Sequence, residues 1–268
     1  MNFSTIERDF TIRENGKTAR GPNGAVATAH PGATGAGADM LRAGGNAVDA
    51  ACAAALALGV CEPQASGLGG QTMMLIARNN NVVAIDGSSR APSLSHVGAV
   101  YKEDRKSGYR ATTVPSTLAT LGYVQQKYGL LKWPQVVEPA IALAANGYTI
   151  TPLQHRLQKR EHGKFREIES LSGLRYFFNQ GEPYMPGDTF TQPHLAALLR
   201  KIASHGVEEF YTGSTARRID ADMRENGGLL RGEDLSLIPW PIERPPLTGS
   251  FRRAFTVHTM PPPGSGRS

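Results

Sequence analysis

The chain has 268 residues, 40% apolar and 19% charged, with 30 glycines and 18 prolines. It is long enough for a sizeable core and too apolar to be disordered. The net charge of +6 comes from scattered residues. The densest basic stretch, RLQKREHGKFR at 156–166, lacks the interleaved aromatics that stack on bases, so it reads as a solvated helix face rather than a nucleic-acid surface.

Residues 1–24 show no sustained period and read as a lead-in without an apolar run of signal-peptide length. No segment reaches membrane-spanning length without charge or proline, so neither a membrane nor a nucleic acid is an expected partner and the expected location is cytoplasmic. From Ala33 the pattern sharpens into a helix, the pair Gly44-Gly45 and a second helix over 46–60. Asn46 should cap the second helix, with Asp49 closing a capping box. Val48, Cys52, Ala55 and Leu56 share one face and the other face is alanine-rich, which predicts a central helix packed on both sides. Cys52 and Cys61, nine residues apart on one helix, would lie about 13 Å apart, beyond disulfide reach.

Next comes EPQASGLGGQTMML (62–75). Such a glycine-rich turn can cradle a phosphate, let a backbone approach a substrate, or pass a helix tightly into a strand. TMMLIARN (72–79) and VVAIDG (82–87), separated by the asparagines at 79–81, predict a β-hairpin with largely buried strands. Helices are expected over 114–129, 133–147, 192–206 and 213–228, each stopped by glycine. Pro134 suits a first turn, whereas Pro139 should kink its helix unless the first turn breaks just before it. RRAFTVHTM (252–260) predicts one late strand. This order of elements argues for an α+β fold and against repeating βαβ units.

Known site chemistries are sparse. GLGGQT lacks the lysine and spacing of a phosphate-binding loop and enters a strand rather than a helix. The seven histidines show no metal-ligand spacing; His155 and His162, one heptad apart, read as structural or solvated. No cofactor and no metal are therefore expected. No G-x-S-x-G elbow is present, and Ser66, the nearest candidate nucleophile, reads as a hydroxyl that satisfies turn amides. These patterns alone leave the function open.

The run ATAHPGATGAGADMLRAGGNAVDAACAAALALGVCEPQASGLGGQTMMLI resembles the N-terminal signature region of the γ-glutamyltranspeptidase family. The likeness continues in order through EPAIALAANGY, FYTGSTARRI, GGLLRGEDL and MPPPGSG, from about Val26 to Gly266. The resemblance implies an N-terminal-nucleophile hydrolase fold, an αββα sandwich of two stacked sheets between helices, with residues 25–268 as an incomplete large-subunit part. It implies a precursor that cleaves itself and a small subunit whose N-terminal threonine attacks a γ-glutamyl amide, its own α-amine serving as base. The helix over 46–60 would pack beneath the sheet, and Gly67, Gly69 and Gly70 would let the chain turn into a strand without side-chain clash.

Two departures from the family qualify the expected function. The sequence holds no processing threonine or small-subunit region, so no catalytic residue is expected in this chain and the catalytic small subunit is an expected partner. In addition, the family grips the substrate's α-carboxylate with an arginine in an R-E-x-A-P loop. Here the loop reads DGSSRAP (86–92), which puts Ser88 at the arginine position and Arg90 two places later. Arg90 either approaches the same pocket or is an ordinary loop arginine. The serine weakens the case for glutathione and leaves room for other small-molecule amides. The alternative function is a non-catalytic remnant or small-molecule-binding protein.

Overall fold

The computed structural model describes residues 21, 23–104, 106–168 and 172–264. Most of the expected lead-in lies outside them.

Helix α1 (Pro31–Arg42) starts two residues earlier than expected, because the His30 side chain caps it: Nδ1 accepts the Gly32 amide at 3.1 Å. Gly44, at φ 86°, makes the turn into α2 (Ala47–Cys61). The capping box is present as predicted. Asn46 Oδ1 accepts the amides of Val48 (2.8 Å) and Asp49 (3.1 Å), and Asp49 Oδ2 accepts that of Asn46 (2.9 Å).

As its small residues require, α2 is buried on both sides; Cys52, Ala53 and Ala57 are wholly covered, and both cysteines are free. It packs against α1, α3 (Thr117–Tyr128) and α4 (Trp133–Asn146). One expectation needs correction here: the helix lying along the sheet is α3. The alanines of α2 suit close helix–helix contact, whereas Leu118, Leu121 and Val124 of α3 fill the core. Helix α4 runs through Pro139 without a break.

Strands β1 (Thr72–Arg78) and β2 (Asn81–Gly87) pair antiparallel in full register, Thr72 with Gly87 and Arg78 with Asn81. Asn79 and Asn80 make the turn at φ 50° and 61°, both positive as a type I′ hairpin demands. The hairpin is followed by a short 3₁₀ turn at Tyr109–Ala111 and then by α3 and α4.

Strand β3 (Tyr148–Thr149) pairs with β4 (Thr189–Phe190); between them lie α5 (Pro152–Glu167) and α6 (Ser172–Phe177). Helix α5 carries the basic stretch and buries only Gln154, as a solvated face should. His155 and His162 on it are half-buried and contact the carbonyl oxygens of Tyr184 (2.7 Å) and Gly181 (2.6 Å), so their roles are structural.

Helices α7 (Pro193–His205), α8 (Glu208–Thr212), α9 (Ser214–Glu225) and α10 (Gly232–Ser236) follow. The late strand is one of three: β5 (Ile242–Arg244) joins β2 to give the order β1-β2-β5, while β6 (Leu247–Phe251) and β7 (Phe255–Thr259) form a separate hairpin. Side chains alternate across a sheet. Thr72, Met74, Ile76, Val83 and Ile85 therefore face α3, and Met73, Leu75, Asp86, Ile242 and Arg244 face the other way.

Candidate functional site

The two segments expected to carry the site, the glycine turn and the loop after β2, meet at the start of α3. Gly70 O accepts the amides of Ser116 (2.9 Å) and Thr117 (3.1 Å), so a turn carbonyl satisfies donors that a helix N-terminus leaves unpaired. Thr72 Oγ1 donates to Thr117 Oγ1 at 3.1 Å, and Ser116 Oγ to Gly87 O at 2.6 Å. Ser89 donates to Gln71 Oε1 through its amide (3.1 Å) and hydroxyl (3.3 Å), which joins the loop to the turn.

Gly87 is the position where packing demands glycine. A Cβ there would collide with the Thr120 hydroxyl and the Thr72 carbonyl. At Gly70 a Cβ would sit 3.3 Å from Thr117 Oγ1, a tight contact, whereas at Gly67 and Gly69 it would meet nothing within 4 Å. None of these three glycines has positive φ. The steric reason expected for Gly67 and Gly69 is therefore absent among the described residues. Both instead border an open cleft.

The cleft measures about 520 Å³ and lies between the end of α2 and the turn. Ala55, Leu58 and Pro63 give it an apolar side, and Gln64, Ser66, Gln71, Thr72 and Thr117 a polar one. Among the described residues, no histidine, acid or amine lines it, so its hydroxyls find no base there. Ser66 donates its amide to Glu62 O at 2.9 Å, but its hydroxyl makes no hydrogen bond with a described residue, which departs from the turn-satisfying role expected. Among the described residues, no three His, Cys, Asp or Glu are grouped to hold a metal.

Beside the cleft, Ser88 folds back on Asp86. Its amide and hydroxyl donate to Oδ1 at 3.1 and 2.5 Å, and Oδ2 faces Arg244 Nη2 at 3.2 Å. Asp86 is only 7% exposed, and a buried carboxylate needs such partners. Arg244 also donates to Pro262 O at 3.2 Å. Arg90 Nη2 donates to the carbonyls of Asp234 (2.8 Å) and Leu237 (2.9 Å), capping the end of α10. The Arg90 backbone accepts from Val114, and Ser93 N donates to Asp234 Oδ1 at 2.9 Å. Both arginines tied to this loop are thus engaged within the chain. Sequence reasoning missed Gln71, Asp86 and Arg244. The acid adjoins the loop in IDGSS, but its arginine partner comes from a distant strand and leaves no local signal.

A family model described as Gamma-glutamyltranspeptidase matches residues 33–267. The chain is 38% identical over 256 residues to the glutathione hydrolase proenzyme of Escherichia coli (strain K12), covering 92% of this chain and 43% of that protein. It is 34% identical to the acylase ACY 1 proenzyme of Pseudomonas sp. (strain SE83), covering 96% of this chain and 48% of that protein. The chain therefore spans less than half the length of these curated relatives. The crystal structure of Helicobacter pylori γ-glutamyltranspeptidase superposes with a TM-score of 0.86 at 36% identity, covering 93% of this chain and 73% of that one. These matches bear out the expected N-terminal-nucleophile hydrolase fold, of which the described residues form a helical layer and part of the sheet. The chain belongs to the γ-glutamyltranspeptidase family.

Proposed function

We propose that this chain is the large-subunit portion of a γ-glutamyltranspeptidase-like amidohydrolase whose nucleophile comes from a further segment or a separate chain. The observation that carries this reading is a cleft walled by glycines and hydroxyls and lined by no base among the described residues, beside a sheet whose outward face leaves Leu75 and Ile242 exposed. A strand face of this kind requires a cover. In the proposed reaction an N-terminal threonine hydroxyl attacks the amide carbon. The threonine's own α-amine takes the proton and returns it to the leaving nitrogen, and water or an amine then takes the acyl group.

Ser88, at the position of the family's arginine, borders the acyl-binding side in this reading, and Arg90 holds the loop in place through α10. With Arg244 paired to Asp86 and Arg90 Nη2 turned onto two carbonyls of α10, neither arginine takes the place of the family's loop arginine at Ser88 for gripping an α-carboxylate. Acyl donors other than γ-glutamyl are favoured accordingly. The same baseless cleft would also serve a protein that binds small molecules without chemistry, and turnover separates the two.

The test is to co-express this chain with the C-terminal remainder of the E. coli relative and assay γ-glutamyl- and phenylacetyl-4-nitroanilide. The expected result is nitroaniline release by the purified complex and by neither part alone, faster with the phenylacetyl amide. A folded one-to-one complex that releases nothing from either substrate would contradict the enzymatic reading.

A further inference from the structure

At the far end of the β1–β2 hairpin, about 20 Å along β1 from the glycine turn by strand rise, the sheet overhangs the C-terminal end of α3. The wedge beneath it encloses about 410 Å³, within the size range of small-molecule sites. It opens on the α3 side of the sheet, opposite the bare face of Leu75 and Ile242. Ile76 and Val83, register partners, form its floor, and the Tyr128 ring forms a wall.

The charges in the wedge are unequally committed. Glu243 Oε1 accepts from Lys127 Nζ (2.7 Å), Tyr128 Oη (2.6 Å) and Tyr123 Oη (3.1 Å). Lys127 Nζ also lies 5.5 and 5.4 Å from the centres of the Tyr123 and Tyr128 rings. This pair neutralises itself and fastens β5 to α3. The Arg78 side chain, by contrast, makes no ion pair or hydrogen bond with any described residue, and it borders the wedge together with Asn79 and Asn81. The wedge therefore presents one uncommitted guanidinium above an apolar floor.

We propose that this wedge binds a small carboxylate with an apolar body, the carboxylate held by Arg78 and the body seated on Ile76, Val83 and the Tyr128 ring. A guanidinium pairs with a carboxylate through two parallel N–H donors. The apolar floor excludes a bare inorganic anion as the best-fitting ligand, and the single free cation disfavours a polyanion. An amine of the same shape would meet Arg78 as a like charge, with Glu243 already neutralised.

The test is calorimetric titration of the whole chain with 3-phenylpropanoate, and with 3-phenylpropylamine as the charge-reversed control. One-site binding with a dissociation constant of about 1 mM is expected for a ligand of this size. Arg78→Gln, at an exposed position, should weaken it at least about tenfold. Arg217→Gln, on the outer face of α9, should leave it unchanged. The proposal is overturned if the carboxylate fails to saturate by about 10 mM, if the amine binds equally well, or if Arg78→Gln, with an unchanged circular dichroism spectrum, binds as tightly as the parent.

Discussion

His30 illustrates how one side chain ties local structure to solution behaviour. Its Nδ1 accepts the Gly32 amide, so the proton of the neutral ring sits on Nε2, which is buried and without a partner among the described residues. Burial holds its pKa below the ordinary 6.5. The unfolded chain therefore takes up the proton first on acidification, and stability present above pH 6.5 is lost as the pH falls through that value towards the lowered one. His30→Asn keeps an acceptor at the helix cap and removes the titration. Denaturant unfolding should show a smaller loss between about pH 7.5 and about pH 5 in the variant than in the parent; equal losses would contradict this.

Two other residues are fixed by packing. Tyr211 is wholly buried; its hydroxyl donates to Pro115 O (3.0 Å) and accepts from Ala119 N (3.1 Å) at the start of α3. Tyr211→Phe should cost about 1–3 kcal/mol in denaturant unfolding, the range for a buried donor left unpaired. Gly87→Ala should cost about 1–3 kcal/mol through overpacking against Thr120 and Thr72, whereas Gly67→Ala should fall within about 0.5 kcal/mol. If Gly67→Ala proves as damaging as Gly87→Ala, the turn is confined by contacts other than those described.

At the scale of elements, what the sequence disclosed depended on distance along the chain. The Asn46–Asp49 box and the asparagine turn were legible because their partners lie within three residues. Asp49 does more than close the box, however: it also accepts the amides of Leu130 (2.9 Å) and Leu131 (3.3 Å), clamping α2 to the α3–α4 connection. No local pattern announces that second role. Asp49→Ala should accordingly cost roughly 3 kcal/mol, more than a surface cap, because buried amides lose their acceptor. An unfolding difference under about 1 kcal/mol would show that the clamp is dispensable.

The late strand expected over 252–260 is present as β7, but β5 and β6 escaped the sequence for a related reason. β5 has three residues between prolines, too few for a period of two to emerge, and its place beside β2 is set by Ala84–Arg244 and Asp86–Ile242 pairing across the fold. The candidate site divides the same way. The glycine turn and the 86–92 loop stood out locally, while the Gln71–Ser89 and Asp86–Arg244 contacts that join the site's parts are tertiary.

For the molecule as a whole, the distribution of apolar surface is the main clue. The helical layer is well filled, with Leu118, Leu121, Leu199 and Ile202 wholly buried. Leu75, Ile242, Phe251, Phe255 and Val257 lie exposed, and among the described residues β6–β7 forms a sheet of two strands. A two-stranded hairpin in water is marginal. Its amides should exchange with solvent faster than those of α2 and α3 in the isolated chain, and slow when a partner covers the sheet. Uniform protection in the isolated chain would mean that the hairpin needs no cover.

In the proposed function these residues build the walls of an acyl-transfer site while the nucleophile resides elsewhere. Intact-mass spectrometry of the co-expressed complex, quenched during turnover of phenylacetyl-4-nitroanilide, tests it directly. The acyl adduct should appear on the partner segment, with the mass of this chain unchanged. An adduct on this chain, at Ser66, Thr72 or Thr117 of the cleft, would contradict the claim.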